Sequence, residues 1–192
     1  MLEKLLSLDT ELFVYLNGLG SDSCDFLWLQ ITKQINWLPL FILILYLVFK
    51  KLGRRQALIL LLFIAVLITF TDQMTNVFKH GFQRLRPCNN PEINSIIRIV
   101  QKRSSFSFFS AHASNSMGVA MFLYCILKKY YKYIYLLFLW PLVFAYSRIY
   151  LGLHYPLDIL CGYIFGILSG FLMFKIYLKY QAKYNSSSVL VD

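Results

Sequence analysis

Apolar and polar positions along the chain resolve into one short segment of mixed rhythm followed by five long apolar stretches with charged punctuation between them. Residues 2–16 set Leu2, Leu5, Leu6, Leu12, Phe13 and Leu16 among Glu3, Lys4, Asp9 and Glu11. That spacing predicts an N-terminal amphipathic helix, too short and too charged to cross a bilayer. Two placements are open to it: an interfacial helix lying on the membrane, or a helix packed on the protein itself. Asn17-Gly18 and Gly20 to Asp22 supply turn chemistry after it. The apolar stretches cover about residues 26–49, 57–78, 113–127, 133–150 and 156–178. A bilayer core takes about 20 apolar helical residues, so the expected fold is all-α integral membrane, a bundle of about five transmembrane helices. The first stretch carries Gln30, Lys33 and Gln34 in its early half, and Pro39 is expected to kink it. The Ser-rich tail 185–192 is expected to be flexible.

Charge orients the bundle. Lys50, Lys51, Arg54 and Arg55, then Lys128, Lys129 and Lys132, then Lys175, Lys179 and Lys183 punctuate alternate ends of the stretches. The positive-inside rule puts all three groups in the cytoplasm, with the N-terminus outside and the C-terminus cytoplasmic. The connection 79–111 and the turn 151–156 then share the outer face. That connection is itself basic, with Lys79, Arg84, Arg86, Arg98, Lys102 and Arg103. A local violation of the rule marks where function is to be sought.

Composition agrees with a membrane protein: 58% of the 192 residues are hydrophobic and 15% charged, against about half and a quarter in soluble domains. The net charge of +10 does not indicate nucleic acid, because most cations sit at the ends of apolar runs. Cys125 and Cys161 lie within apolar runs, and no closely spaced metal motif exists. Cys24 and Cys88 both fall outside the cytoplasm, where a disulfide between them is open. The N-terminal residues lack the pattern of a cleavable signal, so the first span is expected to direct insertion.

Three segments gather on the outer face. They are Lys79 to Arg86-Pro87, Ser110-Ala111-His112, and Ser147-Arg148 through His154 and Pro156 to Asp158. Three cations, two imidazoles and a carboxylate at one membrane boundary point to a site for a multiply charged anion. They suit phosphoryl transfer, in which positioning and electrostatic stabilisation of three equatorial oxygens supply most of the catalysis. Arg86 and Arg148 can each pair two phosphate oxygens, and Lys79 adds a point charge. A helix starting near Ser110 would aim its free N–H groups at the same anion. Pro156 favours the first turn of a helix. Asp158 then falls in that turn and can reach back to fix the tautomer of His154, which makes His154 the better nucleophile. His112 has no such carboxylate nearby in sequence and suits a general acid.

The pattern Lys, six residues, Arg-Pro; then Ser-x-His; then Ser-Arg, five residues, His, three residues, Asp resembles the type 2 phosphatidic acid phosphatase family, whose superfamily includes vanadium haloperoxidases and glucose-6-phosphatase. The resemblance covers about residues 57–178, within a single domain 1–192 that begins with the N-terminal helix and turn, 1–22. It implies an extracytoplasmic loop carrying the active site. Lys79, Arg86 and Arg148 would bind phosphate, and Ser110 with the backbone at Ala111 would complete the cradle. His112 would be general acid, His154 the nucleophile through a phosphohistidine, and Asp158 its orienting partner. It implies no cofactor and no metal. The family usually reads Pro-Ser-Gly-His where this chain has Phe109-Ser110-Ala111-His112.

Other polar residues divide between function and structure. Asp72 lies in an apolar stretch, where a carboxylate is costly, and falls at helical spacing with Asn76, Lys79 and Gln83. A supporting role is expected for it, orienting an arginine or bonding another span. His80 reads as an exposed histidine and Ser147 as a local cap or a site residue. Arg98, Lys102 and Arg103 either steer anionic headgroups or solvate a loop. The expected partners are the bilayer and a lipid phosphate substrate, with no nucleic acid and no obligate protein partner. The substrates in view are undecaprenyl diphosphate, phosphatidate, phosphatidylglycerol phosphate and a lipid A phosphate, and the short chain favours the first. A vanadate-dependent haloperoxidase and a non-catalytic lipid carrier are the alternatives. The expected location is a bacterial-type inner membrane, with the site facing the periplasm or exterior.

Overall fold

The computed structural model describes residues 1–188, and every regular element among them is helical. Helix α1 (Leu2–Gly18) buries Asp9, Phe13 and Asn17 at four-residue spacing and leaves Leu5, Leu8 and Leu12 exposed. The buried stripe packs on α5 (Leu139–Tyr150) and α6 (Pro156–Ser188). Phe13 enters a cluster with Ala145, Ile149, Tyr155 and Ile159. Asn17 Nδ2 donates to the carbonyls of Arg98, Ile149 and Tyr150, and its Oδ1 accepts from the Arg98 N–H.

The first expected stretch, 26–49, is not one helix. Helix α2 (Asp22–Ile31) ends, a 3-10 turn follows at Gln34–Trp37, and α3 (Leu38–Phe82) begins only there. Side chains beyond the break take up carbonyls at the end of α2. Asn36 Nδ2 donates to Gln30 O at 2.9 Å and Trp37 Nε1 to Ile31 O at 2.8 Å, so the helix can stop without stranding them. Pro39 lies in the first turn of α3, where proline costs no hydrogen bond, and does not kink a span as expected.

Helix α3 bends at Gly53, whose φ of 77° lies in the region glycine enters without steric cost. The two limbs line one apolar groove, with Ile44 and Val48 on one side and Ala57 and Leu60 on the other. Lys50, Lys51, Arg54 and Arg55 surround the bend. Gln34–Asn89 and Pro156–Lys183 are long and apolar enough to cross a membrane, with mean hydropathies of 2.2 and 1.9. Helix α4 (Ala111–Leu127) and the segment Ile134–Tyr150, a 3-10 turn leading into α5, are shorter apolar helices. With α3 counted as two limbs, the described residues contain five apolar helical segments. Helix α6 runs to Ser188, so residues 185–188 of the expected flexible tail prolong it, and 189–192 lie outside the described residues.

Helices α4 and α6 pack backbone to backbone. A Cβ at Gly162 would stand 2.8 Å from Ser110 O, and one at Gly166 would stand 2.5 Å from Ser114 O and 2.9 Å from Gly118 N. Small residues permit such approach where lipid removes the hydrophobic drive between helices. Beyond α3 the connection to α4 lies across the turn after α5. Cys88 N–H donates to Gly152 O at 3.1 Å and Gln101 N–H to Leu151 O at 3.2 Å. Cys24 is exposed, Cys88 is buried, and both are free, so the disulfide left open by the sequence is not made.

Candidate active site

Five parts of the chain converge on the end of the α4–α6 contact where both helices begin. Pro156 opens α6 and sets Asp158 in its first turn. Asp158 Oδ2 accepts from Tyr155 N–H at 3.0 Å and lies 3.3 Å from His154 Nδ1. Arg86 Nη1 stands 2.8 Å from the other ring nitrogen, Nε2. Arginine only donates, so Nε2 is the acceptor and Nδ1 carries the proton that faces Asp158. Both side chains are sealed, at 1% exposure for His154 and 0% for Asp158. Burial, then the charges of Arg86, Arg148 and Lys79, hold His154 well below the usual imidazole range. It is therefore neutral at pH 7, with a lone pair on Nε2.

Arg86 is clamped by the carbonyl of Ser105 at 2.7 Å, the hydroxyl of Ser105 at 3.0 Å and the carbonyl of Leu153 at 2.9 Å. Arg148, at the end of α5, donates from Nη1 to Thr32 Oγ1 at 2.6 Å, and its buried Nε has no partner among the described residues. Lys79, in the last turn of α3, is close enough to act electrostatically on Arg86, Arg148 and Asp158. Ser110 caps α4, its Oγ accepting from Ala113 N–H at 3.4 Å and its own N–H donating to Asp158 O at 3.0 Å. The Ala111 and His112 N–H groups remain at the open end of that helix. The His112 ring stacks on Phe144 at 5.0 Å and, unlike His154, makes no hydrogen bond among the described residues. His112 and Arg148 line an open cavity of about 520 Å³ with Thr32, Lys33, Gln34, Gln101 and Arg103.

The structure thus brings Lys79, Arg86, Ser110, Ala111, His112, Arg148, His154 and Asp158 to one place. Asp72 departs from expectation, because it makes no hydrogen bond or ion pair with an arginine among the described residues. The polar bonds from α3 to α4 come instead from Thr71 to Asn115 at 2.7 Å and Thr75 to Ser114 at 3.3 Å. Asp72 is half-buried and raises the proton affinity of Lys79, a supporting influence on the site. His80 is exposed, and Ser147 Oγ donates to Phe144 O at 2.6 Å, away from the site. Arg98 pairs with Asp22 at 2.6 Å and Asp25 at 3.0 Å and so anchors α2. Three contributors escaped the motifs. Thr32 sits in the polar break before α3. Arg84 lies inside the spacer between Lys79 and Arg86, and Asp9 lies on α1. Thr32 lay near the polar interruption of Lys33 and Gln34 and Arg84 among the basic residues of the connection 79–111, while Asp9 had no local signal. A separate cavity of about 300 Å³ between the limbs of α3, α4 and α5 is lined by apolar side chains alone and holds no chemistry.

A model of the PAP2 superfamily matches residues 56–182. The chain belongs to that superfamily. It is a membrane lipid phosphatase, a hydrolase of lipid phosphate esters. It is 39% identical to the lipid A 4'-phosphatase of Bacteroides thetaiotaomicron, across 98% of this chain and 85% of that one. Identity to the lipid A 4'-phosphatase of Porphyromonas gingivalis is 28%, across 97% and 80%. The transmembrane PAP2-type phosphatidylglycerolphosphate phosphatase from Bacillus subtilis shares the fold with a TM-score of 0.68 at 23% identity, over 92% of this chain and 87% of that one.

Proposed function

We propose that this protein removes a phosphate from a phosphorylated glycolipid of the lipid A class at the extracytoplasmic face of a bacterial membrane. The carrying observation is the neutral His154, held between Asp158 and Arg86 beside the cavity that His112 and Arg148 line. Two relatives that match nearly the whole chain are lipid A 4'-phosphatases, which moves the substrate away from the undecaprenyl diphosphate that chain length favoured. The cavity supports the same choice, since Lys33, Gln34, Gln101 and Arg103 offer a sugar both donors and acceptors. The basic turn at Gly53 on the far side, and α1 with its exposed leucines at headgroup level, support a site facing outward.

The reaction runs in two displacements. Lys79, Arg86 and Arg148 take the phosphate oxygens, with the Ala111 and His112 N–H groups and the dipole of α4 behind them. Arg86 exchanges its bond to Nε2 for phosphate oxygens, which frees the His154 lone pair. His112 is held low, at about 2, by burial and then by Arg148, and takes up a proton as the phosphate anion offsets the surrounding cations. Nε2 attacks phosphorus, the bond from phosphorus to the sugar oxygen breaks, and His112 gives that proton to the departing oxygen. Asp158 supports the ring at Nδ1 as positive charge develops. Neutral His112 then takes a proton from water, whose oxygen attacks phosphorus. The phosphorus–nitrogen bond breaks, and inorganic phosphate leaves.

Purified protein given lipid A, undecaprenyl diphosphate and phosphatidate in matched micelles tests this. Phosphate release is expected to be fastest from lipid A, and His154→Ala is expected to abolish release while still inserting in the membrane. Preference for another lipid would overturn the substrate, and turnover by His154→Ala would overturn the mechanism.

A further inference from the structure

Asp158 has an ion-pair partner besides its contact with neutral His154. Its Oδ1 accepts from Arg84 Nη1 at 2.8 Å, on the side away from His154. Arg84 Nη2 donates in turn to Asp9 Oδ2 at 2.7 Å. Asp9 Oδ1 accepts from the Leu157 N–H at 2.8 Å, one of the N–H groups that the start of α6 leaves unpaired. The guanidinium lies 3.9 Å over the Tyr155 ring, whose edge meets Phe13 of α1. The Arg84 carbonyl accepts from the N–H of Ser107 at 2.8 Å. Four parts of the chain therefore fix one arginine behind the carboxylate that faces the nucleophile.

Charge gives this arrangement a purpose beyond docking. A carboxylate that supports a developing imidazolium works through its negative charge. An arginine 2.8 Å away opposes that charge. Asp9 supplies one negative charge on the other side of the same guanidinium, so the row Asp9, Arg84 and Asp158 carries one net negative charge rather than none. The row also settles which Asp158 oxygen faces His154, because Arg84 occupies Oδ1 and leaves Oδ2 for the ring.

We infer that Asp9 and Arg84 are positioning residues for the reaction: Arg84 orients Asp158 against His154, and Asp9, carried on the N-terminal helix, holds Arg84 and offsets its charge. The inference rests on the reading of His154 and Asp158 as nucleophile and orienting partner. Residues that support a reacting group without touching substrate are worth about 10–100-fold in activity. Besides Asp158, the groups that face His154 are Arg86 from the connection after α3, Lys79 from α3, His112 from α4 and Arg148 from α5. All of them persist when Asp9 is changed, so a shift in the pH profile reports the row itself.

Asp9→Asn, Asp9→Glu and His154→Ala would be made in the full chain, and monodisperse protein assayed for phosphate release across pH. For Asp9→Asn, kcat is expected to fall about 10-fold or more with KM held within about twofold. The acid limb of kcat/KM should move to lower pH, because an uncompensated cation makes His154 less basic. Asp9→Glu keeps the charge and is expected to restore the limb and most of kcat. A wild-type rate and limb in Asp9→Asn would overturn the inference. So would a loss matched by a lower folded fraction with an unmoved limb, which is what docking alone predicts. If His154→Ala is inactive in either case, only the inference falls; if His154→Ala turns over, the reading beneath it falls too.

Discussion

The side of α6 that meets α4 and the side that meets α1 reach the same carboxylate with different materials. Toward α4, Gly162 and Gly166 bring backbone against Ser110, Ser114 and Gly118, and apart from the bond of Ser110 N–H to Asp158 O the contact is one of shape. Toward α1 and the connection after α3, the joint is a row of charges, Asp9, Arg84 and Asp158, under the Tyr155 ring, with the Asn17 amide tying α1 to α5 beside it. Shape is unforgiving of a single methyl and indifferent to pH. Polar joints tolerate changes of size but depend on every donor finding its acceptor. The two joints together hold the carboxylate that faces His154.

The sharpest way to break this contrast is Gly166→Ala. Helix propensity favours alanine by about 1 kcal/mol, but the new methyl would meet two backbone atoms of α4 within 3 Å. Those atoms move only if the helices part, so overpacking of about 1–3 kcal/mol or more is expected to win. Loss of folded protein and of activity together, followed by thermal unfolding in detergent, is the expected result. Asn17→Leu probes the other side. It matches the size of the amide but leaves the carbonyls of Arg98, Ile149 and Tyr150 without that donor, for an expected cost of about 1–3 kcal/mol. A melting temperature equal to wild type would show that the amide row does not hold α1.

The smallest expected effect is also the most selective. His154 is held well below the usual imidazole range by burial and by Arg86, Arg148 and Lys79. Once unfolded it binds its proton more readily, so stability is lost as pH falls below about 6.5. Lowering the pH from 7.5 to 5.5 should reduce the melting temperature of wild type more than that of His154→Gln. Gly166→Ala should track wild type, because no titrating group lies in the glycine contact. Parallel curves for wild type and His154→Gln would show that the buried histidine does not set the pH response.

What could be read in advance follows from the same contrast. The apolar stretches and the motif residues Lys79, Arg86, His112, Arg148, His154 and Asp158 are legible because periodicity and spacing are local properties. The break at Thr32 was masked by apolar residues on both sides of Lys33 and Gln34. Pro39 was misplaced because its cost depends on which turn of a helix it occupies. Gly162 and Gly166 looked like any glycines in an apolar run until α4 lay against them. Asp9 and Arg84 are 75 positions apart, and nothing local tells either of the other. Asp72 looked important because it is charged in lipid, yet the bonds between α3 and α4 went to Thr71 and Thr75.

The Asp9 contacts also have a meaning in time. Asp9 precedes Arg84 by 75 positions along the chain, and the Leu157 N–H that it caps by 148. At a synthesis rate of about 5–20 residues per second, that last partner emerges about 7–30 s after Asp9. Asp9 can therefore complete its contacts only when α6 has begun to be made. An earlier helix thus closes on a later one, and the row behind His154 is whole only once both have been made.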